Sequence, residues 1–370
     1  MDTVFSASTS HPADPQTGFD IGWDHARHGL LPPPAQWFDG NPLQQGWQAG
    51  RACFGERTLG ASPRVQRWLA LRLHAWQRGR AFELAEVTPH YLGQIEVDLC
   101  PVLRQPLQAA EVSVDRVCDW AGYAAGNLAT MSAAANRAKG ALGLELLLQR
   151  AERASRAADG CFEGLDTASW SRLSTLVSFV TPLPHERALC LPLHLLPPNR
   201  LRLLNPVQGL QALVTREIGR PDGTRRLRAL SALLPDAAVR LDFHRFLSAL
   251  LPRCIEVGRE ARHWALRHAL EDAWSDALVQ RCWQRFARPL TPAMIETLLQ
   301  RCAAGALGAA HVLLHEDRAA TEGWALERGG LASRPVLRAA GVRLPRVALA
   351  DRARIAPLRT SSADGHLPAR

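Results

Sequence analysis

The chain has 370 residues, 47% hydrophobic and 21% charged, which suits a sizeable core and excludes a disordered chain. Its net charge of +9 favours a polyanionic partner such as nucleic acid. No apolar run approaches the ~18 residues that span a bilayer, and the start lacks a secretory signal. We therefore expect a cytoplasmic protein without membrane contact.

Composition divides the chain into five predicted segments. Residues 1–17 are polar and form a predicted disordered leader, and residues 18–160 form an N-terminal domain. Residues 161–206 are rich in proline and form a predicted connection to a helical C-terminal domain at residues 207–330. Residues 331–370 contain eight arginines and two aspartates, hence +6 of the net charge, and form a predicted flexible basic tail.

Helix signals recur along the chain. Ser62-Pro63, Thr88-Pro89 and Thr291-Pro292 each join a capping side chain to a proline suited to the first helical turn. The stretch 18–50 has many glycines and prolines, so we predict an irregular segment anchored by aromatic side chains. Together these patterns predict a mainly α (α+β) protein.

One stretch follows a different order of elements. Asp115 lies in a short alternating run that predicts a strand. A glycine-punctuated loop follows, then a second strand at Asn127 and a helix carrying Asn136. The pattern predicts a small ββα unit, at about residues 98–158, embedded in a helical protein. One carboxylate and two amide oxygens are ligands that suit a hard cation such as Mg²⁺.

The stretch also carries an ordered set of short motifs. In chain order they are Cys100-Pro101-Val102, Ser113, Asp115-Arg116-Val117, Gly122-Tyr123, Gly126-Asn127, Ser132, Ala135-Asn136 and Lys139, the only lysine. This set resembles the HNH superfamily of ββα-metal endonucleases, in the form common in phages and bacterial mobile elements. The resemblance covers residues 100–139 and implies a hydrolase that cleaves DNA phosphodiester bonds with Mg²⁺ or Mn²⁺.

The resemblance also implies residue roles. Asp115 and Asn136 take the metal-ligand positions, and Asn127 orients the strand and loop, so these three are the predicted catalytic residues. Arg116, Arg137 and Lys139 are the predicted nucleic-acid-binding residues. The family's general-base histidine is replaced here by Arg116, and an arginine cannot act as a base at physiological pH.

Three functions stay open. The first is a metal-dependent nuclease whose water is activated by the metal or by a distant histidine, His25, His28 or His90. The second is a catalytically inactive HNH-like DNA-binding subunit of a mobile-element or defence assembly. The third is an interaction protein that binds a protein partner through its C-terminal helices. In the third, the ββα unit is only structural. A plain structural interpretation of the stretch also stays open, with Asp115 and Arg116 as a strand ion pair, residues 122–127 as a hairpin and Asn136 as an ordinary helix residue.

Overall fold

The computed structural model describes residues 14–257, 263–304 and 313–314, which are mostly helical. The helices are α1 (Pro15–Arg27), α2 (Pro42–Phe54), α3 (Pro63–Gln77), α4 (Pro89–Ile95), α5 (Ala133–Lys139), α6 (Leu144–Arg156), α7 (Thr167–Phe179), α8 (His185–Cys190), α9 (Pro206–Ile218), α10 (Gly223–Ala232), α11 (Ala237–Val257), α12 (His263–Ala273), α13 (Ala277–Ala287) and α14 (Pro292–Ala304). The strands are β1 (Val112–Arg116), β2 (Leu128–Ser132), β3 (Cys161–Phe162), β4 (Leu165–Asp166), β5 (Arg202–Leu203) and β6 (Leu313–Leu314). The predicted mainly α fold is confirmed.

The first four helices begin with the same local device. Asp14, Asn41, Ser62 and Thr88 each cap a helix whose first residue is proline, and each side chain accepts a hydrogen bond from the first helical turn. Proline costs nothing there, because its missing N–H would have no helical partner at that position. The helix starts predicted at Ser62 and Thr88 are confirmed.

Helices α1 and α2 pack closely side by side in parallel, with Gly18 against Pro42 and Ala26 against Gly50, where we predicted an irregular segment, and that prediction is wrong. Glycines allow the two backbones to meet. A Cβ atom on Gly22 would lie 1.9 Å from the Leu43 carbonyl oxygen, and one on Gly46 would lie 1.9 Å from the Phe19 carbonyl oxygen. These glycines therefore serve helix contact, although in the sequence they resemble helix breakers.

The predicted ββα unit is present. Strands β1 and β2 pair in antiparallel register, with Asp115 opposite Ala129, and α5 follows β2 directly. Ser132 ends β2 and caps α5, its hydroxyl accepting the Ala135 N–H at 3.2 Å. Asn127 lies one residue before β2, at the mouth of the loop formed by residues 117–127. The unit therefore carries Asp115 on its first strand and Asn136 on its helix.

The predicted connection at residues 161–206 is built into the core instead. It contains α7 and α8, and side chains such as Trp170 and Leu193 are fully buried in a hydrophobic cluster that extends from Cys100 to Cys302. Asn205 holds the bend after α7, because its amide donates to the Ser178 and Thr181 carbonyls. The prolines mark turns between packed segments.

The ends of the chain only partly overlap the described residues. Helix α1 begins at Pro15, inside the predicted leader, while residues 1–13 and the predicted tail at 331–370 lie outside the described ranges. Within those ranges, no helix combines the length and the apolar character needed to cross a bilayer.

Candidate functional site

Asp115 points into the ββα unit and meets Lys139. Its side chain is buried, with 7% exposed, and Oδ2 lies 2.9 Å from the Lys139 Nζ on α5. Burial raises the pKa of Asp115 to about 6, although the charges of Lys139 and Arg116 act to lower it. The carboxylate is thus compensated from inside the protein.

Lys139 is completely enclosed, with 0% of the residue exposed. Its ammonium donates to the Arg116 carbonyl at 3.0 Å and to the Gly140 carbonyl at 3.1 Å, and it faces Asp115. A buried ammonium needs such partners, since removal from water strongly disfavours an isolated charge. The side chain predicted to bind nucleic acid is therefore internal and does not reach a phosphate.

Arg116 braces the 117–127 loop. Its guanidinium donates to the carbonyls of Asp119 at 2.7 Å and Ala121 at 3.1 Å, and it pairs with the Asp119 carboxylate at 2.6 Å. It also lies over the Tyr123 ring, 5.1 Å from the ring centroid. The residue at the general-base position thus uses its donors within the loop.

Asn127 ties the same loop from the inner side. Its Oδ1 accepts the Cys118 N–H at 2.8 Å, while Nδ2 donates to the carbonyls of Cys118 at 3.1 Å and Gly122 at 3.0 Å. The side chain has no exposed surface. Its role in orienting strand and loop has a structural basis, and its oxygen is committed to the backbone.

Asn136 and Arg137 lie on the outer part of the unit. The Asn136 Nδ2 donates to the Ser113 hydroxyl at 2.7 Å, which fastens α5 to β1. Arg137 is exposed on α5. Of the three predicted nucleic-acid-binding residues, only Arg137 presents its charge to solvent.

These donors do not fit Mg²⁺ or Mn²⁺. Of the two predicted metal ligands, only Asp115 is a carboxylate, and its charge already faces the Lys139 ammonium. A metal ion beside Asp115 would be repelled by the Lys139 ammonium, because charges interact strongly at short range in a site of low dielectric. In the described part of the chain, no three side chains of His, Cys, Asp or Glu converge to hold a metal ion.

The three histidines proposed as distant general bases make hydrogen-bond contacts outside the ββα unit. His25 Nδ1 contacts the Ile21 carbonyl at 2.8 Å, His28 Nδ1 contacts the Gly60 carbonyl at 3.4 Å, and His90 Nε2 contacts Gln94 Nε2 at 2.9 Å. The histidine at the unit is His74, whose Nδ1 lies 2.9 Å from the Tyr123 hydroxyl. Burial lowers the pKa of His74, and the charges of Arg78 and Arg116 lower it further.

A second group of side chains, which no sequence pattern predicted, holds the end of the loop. Glu83 Oε2 accepts the Ala125 N–H at 2.8 Å, and the Tyr91 hydroxyl accepts the Gly126 N–H at 3.0 Å. Burial raises the pKa of Glu83 to about 7, because its other oxygen, Oε1, is enclosed without a hydrogen-bond partner among the described residues. No local pattern marks these contacts, since they join residues far apart in sequence.

Comparison with known proteins adds no relative. No protein-family model, no curated protein and no solved structure matches this chain.

Proposed function

We propose that this protein binds DNA through a ββα scaffold that does not cleave it. The observation that carries the proposal is the Lys139 ammonium, buried 2.9 Å from the Asp115 carboxylate. Asp115 is the residue to which the HNH resemblance gives the first metal-ligand position. A carboxylate that already neutralises a buried cation attracts a second cation only weakly.

The group at the general-base position supports the same proposal. Arg116 keeps its proton at physiological pH, and its donors are committed to the loop carbonyls of Asp119 and Ala121. None of His25, His28 and His90 hydrogen-bonds to the ββα unit within the described residues. Activation of a water at Asp115 therefore has no evident proton acceptor among these groups.

Binding of a polyanion is supported by charge. The chain carries +9, of which residues 331–370 hold +6, and all but one of its basic Lys and Arg side chains are arginines, whose guanidinium groups bind phosphate through two parallel hydrogen bonds. Arg137 is exposed on α5, two residues before Lys139. The resemblance to DNA-cleaving proteins supplies the class of polyanion, so DNA is the proposed partner.

A plasmid assay tests both halves of the proposal. Full-length protein is incubated with supercoiled plasmid and Mg²⁺ or Mn²⁺, beside Asp115→Asn and Asn136→Ala variants. We expect retardation of the plasmid that weakens with salt, and no nicking by any of the three proteins. Nicking by the wild type alone would contradict the inactive scaffold and favour a metal-dependent endonuclease. Absence of retardation at low salt would contradict DNA binding.

A further inference from the structure

The 117–127 loop presents its largest side chain to solvent. Trp120 is 62% exposed, whereas every other residue of this fully described loop is buried or half-buried. An indole ring with most of its surface in water gains only part of the favourable burial that such a large apolar side chain usually gains. The loop is otherwise tightly packed, so its exposed ring is a candidate for contact with a partner.

The exposed ring stands on a rigid base. Arg116 donates to the carbonyls of Asp119 and Ala121, the two residues that flank Trp120. Asn127 fixes the backbone of Cys118 and Gly122 on either side of them. Because this backbone is already ordered, a ligand that contacts the ring has little loop entropy to remove on binding.

Positive charge lies beside the loop that carries the ring. Helix α3 ends at Gln77. Gly79, at φ +55°, turns the chain there, and it is flanked by Arg78 and Arg80. Arg80 lies 4.0 Å from the Asp119 carboxylate, which Arg116 also pairs. Burial raises the pKa of Tyr123, while the nearby charges of Arg116 and Arg78 lower it. Two guanidinium groups, those of Arg80 and Arg116, thus lie beside the carboxylate that precedes Trp120 in the chain.

We propose that Trp120 stacks on an unpaired base of a single-stranded nucleic acid while Arg78 and Arg80 bind the adjacent phosphates. This inference rests on the proposed function and specifies the form of its ligand. An aromatic ring accepts any base face, and arginines beside it match the backbone charge. In a duplex the base faces are covered by their neighbours, so the ring could stack only after base pairs open.

Fluorescence anisotropy of the full-length protein tests the inference. The probes are labelled oligothymidine and oligouridine of about 20 nucleotides and a duplex of the same length. We expect a single strand to bind more tightly than the duplex, and Trp120→Ala to weaken single-strand binding about tenfold. Trp120→Phe keeps an aromatic face and retains most of the affinity. Tight binding of either single strand supports base stacking by Trp120. Comparison of oligothymidine with oligouridine shows whether the ligand is DNA or RNA.

The arginines and the matched control are tested separately. Arg78→Ala/Arg80→Ala lowers the slope of log affinity against log salt by about 1.4, at roughly 0.7 per phosphate of a single strand. Trp264→Ala removes another exposed tryptophan, 44% exposed on α12, and leaves affinity unchanged. Equal affinities of the Trp120→Ala and Trp264→Ala variants, with the duplex bound as tightly as a single strand, overturn the stacking loop but leave the proposed function standing. Failure to bind any probe overturns both.

Discussion

At the scale of single residues, the ion pair between Asp115 and Lys139 places two opposite charges inside the ββα unit. Both side chains are buried, so each charge is stabilised by the other, and the Lys139 ammonium also donates to two backbone carbonyls. A buried pair contributes little compared with an apolar pair of the same shape, but removal of one partner leaves an uncompensated charge. The pair is therefore sensitive to single substitutions.

Lys139→Met should lower the free energy of unfolding by about 3–5 kcal/mol, because it leaves the Asp115 carboxylate buried alone. Adding Asp115→Asn should recover about 2 kcal/mol, since the remaining charge is removed as well. Urea unfolding measures both. The exposed neighbour Arg137→Met is the control and should change stability by less than about 0.5 kcal/mol. Equal stabilities of the single and double variants would argue against a buried pair.

Glu83 gives the protein a pH dependence near neutrality. Its folded-state pKa of about 7 lies above the ordinary value of 4.5, so the folded state holds the proton more tightly than the unfolded state. The resulting stabilisation is fully present below pH 4.5 and is lost as pH rises through about 7. It amounts to roughly 3 kcal/mol at 1.36 kcal/mol per pKa unit.

Comparison of the wild type with Glu83→Gln isolates this contribution. The wild type should lose stability between about pH 5 and pH 8, and the variant should lose about 3 kcal/mol less over the same range. The raised pKa of Asp115 acts in the same direction but is common to both proteins. Glu111→Gln, at an exposed carboxylate, should follow the wild type. Parallel pH profiles for all three proteins would show that Glu83 is already ionised in the folded state.

At the scale of elements, the close packing of α1 on α2 depends on glycine. Gly46→Ala gains up to about 1 kcal/mol of helix propensity, but its methyl group meets backbone at Phe19, where overpacking costs about 1–3 kcal/mol. We expect the clash to exceed the gain and to lower the thermal midpoint. Gly60→Ala meets no atom within 4 Å and is the control. A Gly46→Ala protein at least as stable as the Gly60→Ala protein would contradict the close approach of the two helices.

The elements of the ββα unit could be predicted because their signals are local. Alternation marks β1, glycines mark the loop and Ser132 marks the start of α5. The packing of α1 on α2 could not be predicted, since a glycine that breaks a helix and a glycine that admits a second helix look alike in sequence. The partners of the loop, His74, Glu83 and Tyr91, also left no signal, because their contacts form only when α3 and α4 pack against it.

At the scale of the whole molecule, proline density was a misleading guide to residues 161–206. The prolines alternate with leucines that are buried in the main hydrophobic cluster, so the stretch is structural throughout. Sequence patterns report where a chain turns, and burial depends on which distant segments meet. The same distinction applies to the site, where residue types suggested a metal centre and their contacts place an ammonium there.

In this structure the cation that faces Asp115 is the Lys139 ammonium. Crystals grown with Mn²⁺ test it directly, through anomalous scattering from the metal. We predict no manganese peak between Asp115 and Asn136, and the Lys139 Nζ within about 3 Å of the Asp115 carboxylate. A manganese ion bound by Asp115 and Asn136, with the Lys139 side chain turned away, would contradict the claim.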